Sequence, residues 1–377
     1  MIYLDYAANT PVEKSVLDLY YEVSLKYFAN PNSSHRLGLE AKKVLDESSE
    51  NIAKKLGILK EEIIYTSGAT ESNNLVVKGI CERYKNYGKH ILLSSLEHNS
   101  LIESATSMQE LGFEVELIPV NKDGVVEVDV LKSMLREDTI LVSVCSIDSE
   151  IGIIQPIEEI ANLLKEYPHT FFHTDASQAI GKIEMNYENV DLITIAPHKF
   201  YGLNGIGLLI KKKDVSIKPL INGGKSTTIY RSGTPVLPLV VATDKALSYS
   251  LEEQKNRYNY VSKLKTKITS ELSKLPNIKI NSKENSVPYI INFSFKGIKA
   301  LDLAKKLEEY EIYVSTKTSC CPVETPSKLV YALTKDKGLA TSSIRVSLSH
   351  LTTEEEVDEF INCFLKCYKE FTDNGKI

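Results

Sequence analysis

Short apolar runs alternate with helical stretches through the first two-thirds of this chain, and that alternation constrains its fold more than any other feature. Residues 63–66, 90–93, 115–120, 139–144 and 170–172 are rich in β-branched, aliphatic or aromatic side chains, and each reads as a short strand. Between them, stretches such as 73–87 and 157–167 carry helical spacing. Strands separated by helices predict a mainly parallel sheet covered by helices, an α/β fold. A long helical stretch from about Val240 to Leu275 then leads into a smaller α+β unit ending near Lys369. A chain of 377 residues is long enough for a large core and more than one domain. No repeat or low-complexity segment interrupts it.

Composition narrows the function classes. Hydrophobic residues at 42% and charged residues at 25% describe an ordinary soluble globular protein. A formal net charge of −5 excludes direct nucleic-acid binding as the main activity, because phosphate recognition needs a basic face. The densest basic run, Lys211-Lys212-Lys213, follows a strand pattern and reads as a solvated turn. The N-terminus Met1-Ile2-Tyr3-Leu4-Asp5 lacks the layout of a signal peptide, and no apolar run approaches the ~18 residues of a membrane span. Six cysteines without framework spacing fit a reducing cytoplasm. Cys363 and Cys367, four apart on a helical pattern, read as helix-face thiols, and no metal site is expected.

Two segments carry chemistry. The strand pattern at 170–172 runs into His173-Thr174-Asp175-Ala176-Ser177-Gln178, and strand alternation carries Asp175 to the C-terminal end, where open α/β sheets bind ligands. A second apolar run, 191–196, ends in Pro197-His198-Lys199. The span from 175 to 199 leaves room for one more strand and its connection. A carboxylate and a lysine on neighbouring strand ends suit pyridoxal 5'-phosphate: the lysine forms the Schiff base and the acid keeps the ring nitrogen protonated. Either residue alone would be an ordinary strand-end acid or surface lysine. Ser67-Gly68-Ala69-Thr70, between a strand and a helix, offers backbone N–H groups and a hydroxyl to a phosphate, with Thr70 also a possible N-cap. Gly223-Gly224-Lys225-Ser226 imitates the end of a nucleotide-binding loop, but Pro219 stands where that motif needs its first glycine.

Other motifs follow in order: residues 3–11 (Tyr-Leu-Asp-Tyr-Ala-Ala-Asn-Thr-Pro), 30–35, 66–74, Glu97-His98, Arg231-Ser232-Gly233-Thr234, Cys320, and Ser342-Ser343-Ile344-Arg345. As an ordered set, from about Leu4 to about Val357, they resemble the cysteine desulfurases, class V aminotransferases of the fold-type I pyridoxal phosphate enzymes. The resemblance implies a large cofactor-binding domain over 12–245, with a mainly parallel seven-stranded sheet. Residues 1–11 with 246–377 would form a small domain carrying the nucleophile loop. It implies that Ala69, Thr70 and His198 bind the phosphate, with Thr234 reaching it from the other subunit of a homodimer. It places His98 over the ring as a proton shuttle and Gln178 on the phenolic oxygen, while Ser149 occupies a cofactor-binding position. Asn9 and Arg345 would bind the substrate carboxylate, Arg345 through its planar fork. Lys199 would take the α-proton. Cys320, on a polar loop with Lys317 three residues upstream, would take sulfur from L-cysteine as a persulfide, release L-alanine, and pass the sulfur to an acceptor protein of the scaffold or tRNA-thiolation type. Cys321 is either a second thiol that modulates release or an inward-facing core residue.

The chain departs from the family pattern at five places. Ala196 replaces a serine, removing a phosphate donor worth about 1 kcal/mol. Pro197 removes a backbone N–H, Ser149 stands for an asparagine, residues 225–230 replace a Gln/Glu-rich segment, and Thr318-Ser319-Cys320-Cys321 stands for Gly-Ser-Ala-Cys. The alternatives are another class V enzyme, a selenocysteine lyase or an aminotransferase, or a degenerate, non-catalytic partner protein.

Overall fold

A computed structural model of the chain describes residues 1–317 and 325–373. Among them twelve strands run in chain order: β1 (Ile2–Tyr3), β2 (Ile63–Thr66), β3 (His90–Ser94), β4 (Glu114–Ile118), β5 (Thr139–Ser143), β6 (Phe171–Asp175), β7 (Leu192–Ile195), β8 (Gly207–Lys211), β9 (Ile278–Ile280), β10 (Ile290–Phe295), β11 (Ile312–Tyr313) and β12 (Ser343–Ser347). Strands β2 to β8 form one seven-stranded sheet in the order β2-β8-β7-β6-β5-β3-β4. Only β8 runs against its neighbours. The expected α/β architecture is therefore present, and the C-terminal ends of β2, β3, β5, β6 and β7 lie along one edge.

Burial explains the strand patterns. β3, β5, β7 and β8 are buried at every position, as expected of a sheet covered on both faces. Along β3 and β5, Leu92 and Val142 enter one core, while Ile91, Leu93 and Leu141 enter the core on the other face. β4 is one of the two edge strands, and its Glu114 and Glu116 keep that edge charged.

A second, antiparallel sheet, β12-β10-β9, has its own core, in which Phe293 and Phe295 meet Phe360 and Phe364. The N-terminal segment joins this region: β1 pairs with β11, and Ala7 N–H donates to Ser347 Oγ at 2.9 Å.

Two expectations need correction. The stretch 240–275 is two helices, Leu237–Glu252 and Gln254–Leu272, broken at Glu253. The first packs Val240, Val241 and Leu247 into the core of the large sheet; the second packs Val261, Leu264 and Ile268 into the core of the small sheet. A straight helix cannot serve both cores. Nor is the lysine run wholly solvated. Lys211 is the last residue of β8, buried, with Nζ donating to the carbonyls of Lys212 (3.0 Å) and Val215 (2.7 Å) and lying 4.6 Å from the Tyr230 ring centre. Among the described residues no helix is long and apolar enough to cross a membrane.

Candidate active site

Adjacent parallel strands β6 and β7 set Asp175 opposite Thr194, so Asp175 and the turn after β7 emerge side by side. That turn is a single 3-10 turn, Pro197–Lys199, opened by a proline whose missing N–H costs nothing at a first position. Tyr201 follows with φ 67°, a left-handed conformation costing about 1–2 kcal/mol outside glycine. The N-terminal segment holds it there: Thr10 Oγ1 donates to the His198 carbonyl at 3.0 Å and accepts from Tyr201 N–H at 2.8 Å. The same segment receives Lys199, whose Nζ donates to the carbonyls of Ala7 (2.8 Å) and Ala8 (2.6 Å).

These groups open into a cavity of about 370 Å³. Ala69, Thr70, His98, Ser149, Asp175, Gln178, His198, Lys199 and Arg345 all line it, drawn from five strand ends and the small sheet. The helix Ala69–Tyr84 starts at the cavity wall, and by helix geometry its first-turn N–H groups have no partner within the helix. Its N-cap is Gly68, and Thr70 lies in the first turn, so the N-cap reading of Thr70 does not hold. Close packing fixes this turn: a Cβ on Gly207 of β8 would lie 2.5 Å from the backbone carbon of Gly68.

Asp175 accepts from Asn73 Nδ2 (2.9 Å) and from Ser177 N–H (3.0 Å). Asn73 Nδ2 also donates to Ser100 Oγ (2.9 Å), which contacts His98 Nδ1 (2.9 Å). His98 caps the helix Asn99–Gln109 by accepting Ser100 N–H at Nδ1, so the neutral ring carries its proton on Nε2. Burial, with Lys199 and Lys182 nearby, pushes His198 down to about 4, which keeps it neutral at pH 7. Asp148 is pushed up to about 6 by burial against three backbone N–H bonds, from Glu150, Ile151 and Ile153, that shape the turn holding Ser149. Burial and then Asp175 hold the Glu97 carboxyl well above the usual carboxylate range.

Arg345 is almost fully enclosed on β12. Its Nη2 donates to Asp5 Oδ1 (2.6 Å) and its Nη1 to the Ser149 carbonyl (2.8 Å), while Nε has no hydrogen-bond partner.

Two expected residues among those described do not line this cavity. Asn9 turns its amide to the Thr10 carbonyl at 3.0 Å, one residue beyond Ala8. Thr234 lines a separate pocket of about 80 Å³ that shares Ser67 with the main cavity. Cys320, like Cys321, lies outside the described residues. Asn73, Ser177 and Lys182, in contrast, were not singled out from sequence. Asn73 lies inside the 66–74 motif, but nothing local marks a contact made 102 positions away.

The cavity fits pyridoxal phosphate by its donor set: an acid held by two hydrogen bonds, a lysine on the same cavity wall, a helix start for phosphate, and a buried Ser177 Oγ still without a partner.

Comparison with known proteins places the chain in one family. The family model described as aminotransferase class-V matches residues 2–360. A NifS/IcsS protein homolog of Lactobacillus delbrueckii subsp. bulgaricus is 39% identical, over 99% of this chain and 98% of its own length. Cysteine desulfurase IscS of Dictyoglomus turgidum is 37% identical, over 95% and 92%. Among solved structures, a NifS-like protein superposes with a TM-score of 0.92 at 34% identity, covering 98% of this chain and 99% of that one.

Proposed function

The chain belongs to the class V aminotransferase family, and on that premise we propose that it is a pyridoxal 5'-phosphate-dependent cysteine desulfurase. It converts L-cysteine to L-alanine and passes the sulfur through an enzyme persulfide to an acceptor. The observation that carries this reading is the meeting of Asp175 and Lys199 in one cavity with a helix N-terminus and the Arg345 guanidinium.

Bound there, the cofactor supplies an electron sink for bond breaking at the substrate α-carbon. The chain's own groups do the rest. Asp175, fixed by Asn73 and Ser177, offers a charge-assisted hydrogen bond to a protonated ring nitrogen. Ala69, Thr70 and neutral His198 receive the phosphate, and Gln178 donates its amide to the phenolic oxygen. Lys199 Nζ, held by two carbonyls, anchors the cofactor and moves the α-proton; His98 holds a mobile proton on Nε2. Arg345 grips the substrate carboxylate, with Asn9 at the same end and Ser149 on the wall. Cys320 receives the substrate sulfur.

The proposal includes a homodimer in the cytoplasm. Leu17, Tyr21 and Leu25 on the helix Lys14–Lys26 recur every four residues and are 47%, 66% and 64% exposed, an apolar stripe suited to a second copy. Thr234, in its own pocket behind Ser67, would then serve the partner's phosphate site. Four described cysteines are buried free thiols, which suits a reducing compartment. The acceptor is a scaffold or tRNA-thiolation protein. An absorption spectrum, then alanine and sulfide assays with L-cysteine on wild type and Cys320→Ala, tests the reading. Cys320→Ala should keep the cofactor band and lose alanine formation. Undiminished alanine in that variant would overturn the assignment.

A further inference from the structure

Behind the cavity, a hydrogen-bonded chain runs from a second lysine to Lys199. Lys182 Nζ donates to Gln178 Oε1 at 2.6 Å. Gln178 Nε2 donates to the Ala7 carbonyl at 2.9 Å, and that same carbonyl accepts from Lys199 Nζ at 2.8 Å. We propose that Lys182 is a positioning residue that fixes which end of the Gln178 amide faces the cofactor site.

The argument is one of hydrogen-bond sense. A glutamine amide is nearly symmetric in shape, so packing alone does not choose between its two orientations. A lysine amine at 2.6 Å does, because an ammonium only donates and its neighbour must be the amide oxygen. The reversed amide would set an NH2 against an ammonium and an oxygen against the Ala7 carbonyl, two mismatches at once. Gln178 is therefore held with its NH2 toward Ala7, itself a residue of the cavity wall.

Lys182 has no described salt bridge of its own. Its Nζ lies 6.0 Å from the Tyr289 ring centre, and the charges acting on it most are the like charges of Lys199 and Arg345. On its outer side its stem lines a cavity of about 640 Å³ shared with Glu158, Glu159, Glu184 and Lys255. Burial and the two cations push it down to about 7. A neutral amine can accept as well as donate, so the two-sided preference belongs to the ammonium form, and after titration only the Ala7 carbonyl still selects the NH2 end.

The inference rests on the proposed cofactor reading, in which the phenolic oxygen becomes the acceptor of Gln178 Nε2. An N–H facing that oxygen favours its ionised form; a carbonyl there would oppose it. The test is the pH titration of the visible absorption band of cofactor-loaded protein, for wild type, Lys182→Met, Lys182→Arg, Gln178→Leu and the Lys182→Met/Gln178→Leu double variant. Lys182→Met should move the midpoint upward by about tenfold in acid constant, and Lys182→Arg, still a donor, should restore it. In the Gln178→Leu background Lys182→Met should add less than about twofold, because the amide it orients is gone. An equal shift in both backgrounds would show a plain charge effect and overturn the proposal, as would no shift in Lys182→Met. Should Lys182→Met not fold, Lys182→Leu, which likewise has no donor, is read the same way. A wild-type protein with no visible band fails the cofactor reading instead, so the two failures are distinct.

Discussion

Removing the Asp5 carboxylate should destabilise the fold through Arg345. The Arg345 side chain is 2% exposed and its Nη2 lies 2.6 Å from Asp5 Oδ1, the one salt-bridge partner described for it. Breaking a buried pair by deleting one partner costs about 3–5 kcal/mol, because a charge is left uncompensated. The Asp5 side chain is 22% exposed, so water offsets part of that loss and Asp5→Ala should cost about 3 kcal/mol. Asp5→Asn keeps an oxygen to accept from Nη2 and should cost about half as much. Replacing both residues, as Asp5→Ala with Arg345→Met, leaves no orphaned charge and should recover at least 1 kcal/mol relative to the additive sum, to order of magnitude roughly the coupling of a close pair. Equilibrium urea unfolding at pH 7, followed by far-ultraviolet circular dichroism without cofactor, measures wild type, Asp5→Ala, Asp5→Asn, Arg345→Met and the double variant. Asp5→Ala within about 0.5 kcal/mol of wild type, or strict additivity in the double variant, would refute the reasoning.

Other consequences are as direct. Lys199→Ala should lose the cofactor label that borohydride fixes to wild type, and peptide mapping of wild type should find the label on Lys199; a label on Lys182 would contradict the assignment. Gly207→Ala places a Cβ against the backbone of Gly68 and should cost about 1–3 kcal/mol in urea unfolding while lowering the cofactor content of the purified protein. His350 is pushed down to about 4 by burial and then Arg257, so its neutral form is the one the fold favours. Its contribution is present above the unfolded value near 6.5 and lost as pH falls toward 4. His350→Phe should therefore flatten the pH dependence of unfolding by about 1.4 kcal/mol per pH unit within that window; equal slopes would contradict it.

Much of the fold is legible in the residues, because buried strands must be apolar on both faces. Thr139 to Ser143 and Leu192 to Ile195 announce themselves that way. The break at Glu253 does not: no proline or glycine marks it, and it exists because the flanking helices serve different cores. Lys211 escaped for a related reason, since the carbonyls that satisfy it are formed by the turn it enters. In the site, Asp175 and Lys199 stand out because strand ends and residue chemistry are local features. Asn73 and Lys182 do not, because a polar side chain is assigned only by its partners, and Asn73 meets Asp175 across 102 positions. The N-terminal carbonyls that hold Lys199 lie 191 and 192 positions away and carry no side-chain signature at all.

The central claim is a sulfur transfer, and one measurement reads it directly. Cofactor-loaded protein given one equivalent of L-cysteine, quenched and mapped by mass spectrometry, should show one additional sulfur on Cys320 and a matching amount of free alanine. Additional sulfur on another cysteine with Cys320 unmodified, or consumption of cysteine without alanine, would contradict the account.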